Sequence, residues 1–146
     1  NKLCKNSKAK VENRPGVTRH NQWFSVDKGI QLLDTPGVLW PKFDSEEVAC
    51  NLAFTGAIKD RVLDTEDLAL RFIEKIKNGY AKNLSERYKL DFELISNLSS
   101  FEILENIARN RGMLVSGGEI DTLRVSNMIL EEFRSGKLGR ITLENP

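Results

Sequence analysis

Cysteine and histidine are scarce in this chain. Two cysteines, Cys4 and Cys50, lie far apart, and His20 is the one histidine among 146 residues. No Cys-x-x-Cys spacing occurs, which excludes a structural zinc site of the usual Cys/His type and a disulfide scaffold. An excess of one charge is also missing. Lys and Arg number 22 and Asp and Glu 21, a net charge of +1, so the chain is not a polycation that coats nucleic acid. It has no apolar run of roughly 18 residues and no signal-peptide pattern, and two lone thiols fit a reducing compartment. A soluble cytoplasmic protein is the expectation. Hydrophobic residues make up 40%, enough to bury a core and too many for a disordered tail. The first residue is Asn1 rather than Met, which suggests trimming or a place within a longer protein.

The balanced charge is unevenly spread. Residues 1–28 hold Lys2, Lys5, Lys8, Lys10, Arg14, Arg19 and Lys28 against Glu12 and Asp27. That end can steer toward phosphates, or it is simply a solvated terminus.

The pattern changes character near residue 62. Before it, residues 1–8 resemble the last turns of a helix, and Asn13-Arg14-Pro15-Gly16 is a turn or loop. Gln22–Val26 reads as a strand, Asp27-Lys28-Gly29 as a hairpin turn, and Ile30–Leu33 as a second strand ending at Asp34. A connection this short makes the two strands antiparallel. Ser45 caps a helix running to about Thr55, which Gly56 ends. After residue 62 only helices are expected. Asp64 or Thr65 caps one with Leu68, Ala69, Phe72, Ile73 and Ile76 on its apolar face. Leu84–Tyr88 is a short helix. Ser99 and Glu102 form a capping box for a helix through Arg111, which buries Ile103, Ile107 and Ala108 and stops at Gly112. The last helix, Glu119 to Ser135, places Leu123, Val125, Met128, Ile129 and Phe133 on one side. Lys137 to Pro146 is an extended tail whose Leu138, Ile141 and Leu143 alternate roughly as in a strand.

Chemistry concentrates at Asp34-Thr35-Pro36-Gly37. A D-x-x-G sequence at the carboxyl end of an apolar strand suits a nucleotide switch: the Asp holds Mg²⁺ through water and the Gly offers a bare backbone N–H to a γ-phosphate. On composition alone it is also an ordinary turn. Thr18 lies in a Gly-containing loop before the preceding strand, where a switch threonine would complete the Mg²⁺ shell.

The resemblance becomes specific with longer blocks. They are R-P-G-V-T at 14–18, Q-W at 22–23, L-L-D-T-P-G-V-L-W-P-K-F at 32–43 and L-A-F-T-G-A-I-K-D at 52–60. Further along come R-G at 111–112, S-G-G at 116–118 and G-R-I-T-L-E at 139–144. Together they closely resemble the circularly permuted GTPases of the ribosome-biogenesis GTPase A family, over essentially the whole chain. The resemblance implies rotated motif order, with the guanine-recognition motif and P-loop upstream and the switch motifs last. It implies GTP/GDP and Mg²⁺ as cofactors, with Thr18 and Asp34 on the metal and Thr18, Asp34 and Gly37 on the nucleotide. Its implied partner is the large ribosomal subunit precursor and its rRNA. Val38 and Leu39 follow the D-x-x-G where Ras-like proteins carry a water-orienting Gln, so catalysis recruits another group or the ribosome.

Neither G-x-x-x-x-G-K-[ST] nor N-K-x-D occurs in these 146 residues. The expected fold is therefore an α/β P-loop GTPase remnant, an antiparallel strand pair plus a helix, over residues 1–61. An all-α helical C-terminal domain follows over 62–146. Without the phosphate cradle and its Lys this stretch alone is expected to be inactive and to bind GTP weakly or not at all. The rival reading is a non-catalytic RNA- or ribosome-binding module. A mitochondrial relative is a third. Arg109, Arg111, Lys137 and Arg140 are the candidate contacts to rRNA phosphates; a solvated basic face at helix ends is the alternative. His20 is read as an exposed loop residue rather than a general base, and Trp23 and Trp40 as packing residues.

Overall fold

The structure is a computed structural model that describes residues 22–27, 30–34, 45–58 and 64–144. The chain forms two compact units, residues 1–45 and 46–146. The expected helix at 1–8, the loop at 13–16 and residues 35–44, with Trp40, lie outside the described residues, as does His20.

The first unit contains one antiparallel ladder of β1 (Gln22–Asp27) and β2 (Ile30–Asp34). Trp23 faces Leu33 and Gln22 faces Asp34 across it, with an irregularity between Ser25 and Asp27. The alternation of Trp, Phe and Val with polar residues favours a strand here, and the short connection dictates the antiparallel sense. Trp23 is 64% exposed, and Ile30, Leu32 and Leu33 are exposed too. This departs from the packing role expected of Trp23. A two-stranded ladder by itself has no second layer to bury either face.

The second unit is helical. Its elements are α1 (Glu46–Phe54), α2 (Thr65–Ile76), α3 (Ala81–Tyr88), α4 (Phe92–Ile95), α5 (Ser100–Asn110) and α6 (Thr122–Arg134). Asp64 caps α2, its carboxylate accepting from the N–H groups of Glu66 at 2.8 Å and Asp67 at 3.4 Å. The capping box at α5 is complete in both directions between Ser99 and Glu102. Gly56 closes α1 at φ +74. Its N–H donates to Ala53 O and that of Ala57 to Leu52 O, the paired C-terminal bonds that favour glycine at this position.

Three elements differ from the sequence reading. Helix α3 starts at Ala81 rather than Leu84, and α4 is an additional single turn that Asp91 caps through the Glu93 N–H. Helix α6 begins at Thr122 rather than Glu119, because residues 113–121 fold back first. Leu114 bridges Ile120, and the Asp121 N–H donates to Met113 O before the Asp121 side chain caps the helix. The tail forms no strand within 137–144; its polar backbone is met by the Asn83 side chain of α3 and by the Tyr80 hydroxyl instead. The buried face of α6 is Val125, Ser126, Ile129, Leu130 and Glu132. Leu123, expected inside, is 54% exposed. Burial at i, i+1, i+4 and i+5 from Val125 turns position 123 outward.

Helix α2 lies at the centre. Leu68, Ala69, Phe72 and Ile73 are fully buried, the face expected from their spacing. Phe72 stacks on Phe54 of α1 with ring centroids 5.3 Å apart, and on Phe133 of α6 at 4.6 Å. Arg134 adds a polar fastening: its Nε donates to Phe54 O at 3.0 Å and a terminal nitrogen donates to Ala53 O at 2.8 Å. A cation on the last carbonyls of a helix is favoured by its dipole. These contacts hold α1 in the same compact unit as α2–α6, residues 46–146.

Replacing a fully buried phenylalanine by alanine costs about 3–5 kcal/mol. Phe72→Ala is expected to lower the urea midpoint of the helical unit accordingly. A loss below about 1 kcal/mol would contradict the central place given to this ring.

Candidate functional site

The nucleotide-switch candidates belong to the first unit. Asp34 is the last residue of β2, with its backbone paired to Gln22. A carboxylate at a strand's carboxyl end, a threonine hydroxyl and a glycine N–H are hard, oxygen-rich or hydrogen-donating groups. They suit Mg²⁺ and a phosphate. Thr18 and Gly37 lie outside the described residues, as does the Asp34 side chain. Among the described residues no cluster of three or more His, Cys, Asp or Glu is placed to hold a metal. Neither G-x-x-x-x-G-K-[ST] nor N-K-x-D occurs among these 146 residues.

The basic candidates belong to the second unit and are not equivalent. Arg109 is engaged along α5, its Nε and a terminal nitrogen donating to Glu105 at 3.2 and 2.7 Å. Arg111 is exposed but engaged. Its guanidinium lies 5.5 Å from the Tyr88 ring centroid and donates to Arg87 O at 3.1 Å. Lys137 and Arg140 are exposed at either side of Leu138 and Gly139. Asn83 Nδ2 donates to Leu138 O at 2.8 Å. Asn83 and Arg87 are one helical turn apart on α3, so they share a face. Asn83 thus meets the tail at Leu138 O, while the main-chain carbonyl of Arg87 meets Arg111. Arg109 stays with its own helix.

Around Arg87 lies a polar cluster. Arg87 grips the Glu132 carboxylate with two nitrogens, Nε donating to Oε2 at 3.0 Å and a terminal nitrogen to Oε1. Glu132 is buried. The Arg87 hydrogen bond holds its carboxyl below the usual carboxylate range, against the opposing effect of burial. The Tyr88 hydroxyl is buried beside it, without a hydrogen bond of good geometry among the described residues. Burial first, and the Glu132 charge second, push its phenol well above the ordinary value. Asn110 Nδ2 closes the cluster by donating to Tyr88 O at 3.0 Å, next to Lys89 in the left-handed conformation at φ +57. On sequence alone Glu131 and Glu132 form one acidic pair. The signal separating them is position: Glu132 follows Ile129 by three on the buried face, and Glu131 does not.

A family model described as "50S ribosome-binding GTPase" matches residues 1–103. The chain belongs to this family. It is also 48% identical to ribosome biogenesis GTPase A of Bacillus cereus, an alignment that takes in all of this chain and 48% of that protein. It is 39% identical to the Bacillus licheniformis protein of the same name and 32% to that of Thermotoga maritima, each over all of this chain and 50% of the relative. The chain spans about half the length of these curated relatives. Among solved structures it resembles a GDP-bound YlqF, with TM-score 0.57, 29% identity and coverage of 86% of this chain and 49% of that one. A GNP-bound YlqF from T. maritima matches at TM-score 0.56 and 29% identity, over 88% of this chain and 49% of that one. The expected kinship with circularly permuted GTPases of the ribosome-biogenesis GTPase A type therefore stands.

Because the folded Glu132 carboxyl titrates below its ordinary value of 4.5, its stabilisation is complete above that value and is lost as pH falls through the folded value. Glu132→Gln is expected to be less stable at pH 7 and to show a shallower loss of stability between about pH 5 and pH 3. Parallel acid limbs for the variant and the parent chain, compared by urea unfolding, would contradict this.

Proposed function

We propose that this chain is the switch region and helical docking domain of a GTP-binding, GTP-hydrolysing factor that acts in assembly of the large ribosomal subunit. The observation that carries the reading is the 48% identity to ribosome biogenesis GTPase A across the whole chain, which includes the D-T-P-G at 34–37. In this reading residues 1–61 are the C-terminal part of the permuted GTPase domain and 62–146 the helical C-terminal domain, with α1 seated on the helical side. Asp34 and Thr18 share Mg²⁺, and Gly37 offers its N–H to the γ-phosphate. GTP and GDP are the ligands of the complete protein, and the large-subunit precursor with its rRNA is the partner. The setting is the cytoplasm; among the described residues no helix is long and apolar enough to cross a membrane. The 146 residues alone are inactive, since the backbone cradle and lysine that bind most of a triphosphate lie elsewhere.

On the helical domain, the side chains available for rRNA phosphates are graded by their present engagements. Lys137 and Arg140 are exposed in the tail and bind first. Arg111 must leave the Tyr88 ring to reach a phosphate, and Arg109 must exchange Glu105 for one. A second reading, a ribosome-binding module without catalysis, is favoured by the compactness of residues 46–146 as a unit of their own.

Two substitutions in the complete protein separate these readings. Asp34→Asn is expected to abolish Mg²⁺-dependent GTP hydrolysis while leaving binding to ribosomal RNA in place. Lys137→Ala with Arg140→Ala is expected to weaken RNA binding and reduce the slope of log K against log salt by about 1 to 2, one for each phosphate left unneutralised. Unchanged hydrolysis in Asp34→Asn would remove Asp34 from the metal site, and no hydrolysis by the unaltered complete protein would support the binding-module reading. An unchanged salt slope would remove the tail from the RNA surface.

A further inference from the structure

We propose that the C-terminal tail, residues 138–144, is a detachable strap that holds α1 in its seat, so that tail and helix open as a coupled pair. The proposal rests on the geometry of the helical unit and not on the nucleotide reading. After α6 the chain turns at Gly136 and comes back across the unit, and three side-chain tethers fix it. Asn83 Nδ2 donates to Leu138 O at 2.8 Å. The Thr142 N–H donates to the Tyr80 hydroxyl at 2.8 Å, and that hydroxyl donates in turn to Thr142 O at 3.4 Å. Asn51 Nδ2, on α1, donates to Glu144 Oε1 at 2.9 Å.

The strap has a fixed root and a light tip. At the root Leu138 is buried. Gly139 there sits at φ +85, a conformation that favours glycine, and a Cβ on it would lie 2.8 Å from Asn83 Nδ2, so that amide, which holds Leu138 O, would have to shift. Toward the tip nothing is sealed. A cavity of about 360 Å³ opens between the tail and the helices, lined by Glu47, Val48, Asn51, Lys75, Leu143 and Glu144. The tethers at Thr142 and Glu144 are one or two hydrogen bonds each, individually weak against solvent.

Asn51 is the joint between the two. It is 5% exposed. The Glu144 carboxylate fixes the orientation of its amide, since a flipped amide would oppose two acceptors. Its Oδ1 has no hydrogen-bond donor among the described residues. A buried amide satisfied on one side only makes a contact that is specific yet easily exchanged. Elsewhere α1 is held by exposed ion pairs at its start, Glu46–Arg71 and Glu47–Lys75, by the buried Ala53 and Phe54, the latter against Phe72, and by Arg134 at its end. The tail therefore serves the middle of the helix that follows the D-x-x-G segment in sequence. Coupling of this kind is reciprocal: a partner that draws off the tail loosens α1, and a displacement of α1 frees the tail.

Hydrogen exchange on the full chain tests this. Glu144→Ala, and a chain ending at Arg140, are expected to speed exchange of the amides in Asn51–Ala57 roughly 3–10-fold, the net worth of one hydrogen bond. The amides of α2 and α5 should not change. Tyr80→Phe keeps the ring and the Asn51–Glu144 bond, and should act in the same sense but less. Asn51→Ala should speed exchange at 141–144. Unchanged α1 protection in both tail variants would overturn the proposal. So would equal loosening of α2 and α5, because the tail would then be ordinary packing rather than a strap.

Discussion

The Phe72 ring is held between Phe54 and Phe133, and this three-ring contact is what the rest of the helical unit is built around. It joins three helices that are distant in sequence through one side chain on α2. Because α2 is buried along its whole apolar face, α1, α5 and α6 can each use it without competing for water-exposed surface. The ion pairs that follow, from Glu46 to Arg71 and from Glu47 to Lys75, are exposed and add little by themselves. They set the register of α1 on a surface that burial has already chosen.

The functional reading follows from where this packing ends. Helix α1 directly follows, in sequence, the segment that carries Asp34 and Gly37, yet its side chains are committed to the helices after it. Arg134 fastens its last carbonyls and Glu144 its middle. In the proposed function, this makes α1 the first helix of the docking domain after the switch motif in sequence. The basic side chains show a parallel division: the tail presents Lys137 and Arg140, whereas Arg111 lies against the Tyr88 ring.

Much of this is legible in the residues. The apolar face of α2, the Ser99–Glu102 box, the Gly56 stop and the antiparallel hairpin each follow from local chemistry that tertiary packing does not override. The kinship comes from runs such as D-T-P-G-V-L-W-P-K-F, whose composition is too particular for a generic turn. The misses share another cause. The single turn α4 is too short to show a period, and the late start of α6 depends on the Leu114–Ile120 bridge. Leu123 reads as buried because it is apolar, but its rotational position is set by Val125 and Ile129. The tail reads as a strand because apolar residues alternate, while its hydrogen bonds go to Asn83, Tyr80 and Asn51. No periodicity announces a partner 55 to 93 residues away. Of the candidate site, motif chemistry names Thr18, Asp34 and Gly37, but the unequal engagement of Arg109, Arg111, Lys137 and Arg140 needs three dimensions.

In the proposed reading, these residues supply the sensing half of a nucleotide site whose phosphate cradle lies upstream in the complete protein. Calorimetric titration of a non-hydrolysable GTP analogue with Mg²⁺ into the 146-residue chain, beside the complete protein, tests it most directly. The expected result is saturable, Mg²⁺-dependent binding by the complete protein and none by the 146 residues. Tight Mg²⁺-dependent binding by the 146 residues alone would contradict the account, because the D-x-x-G and switch threonine would then suffice without the cradle.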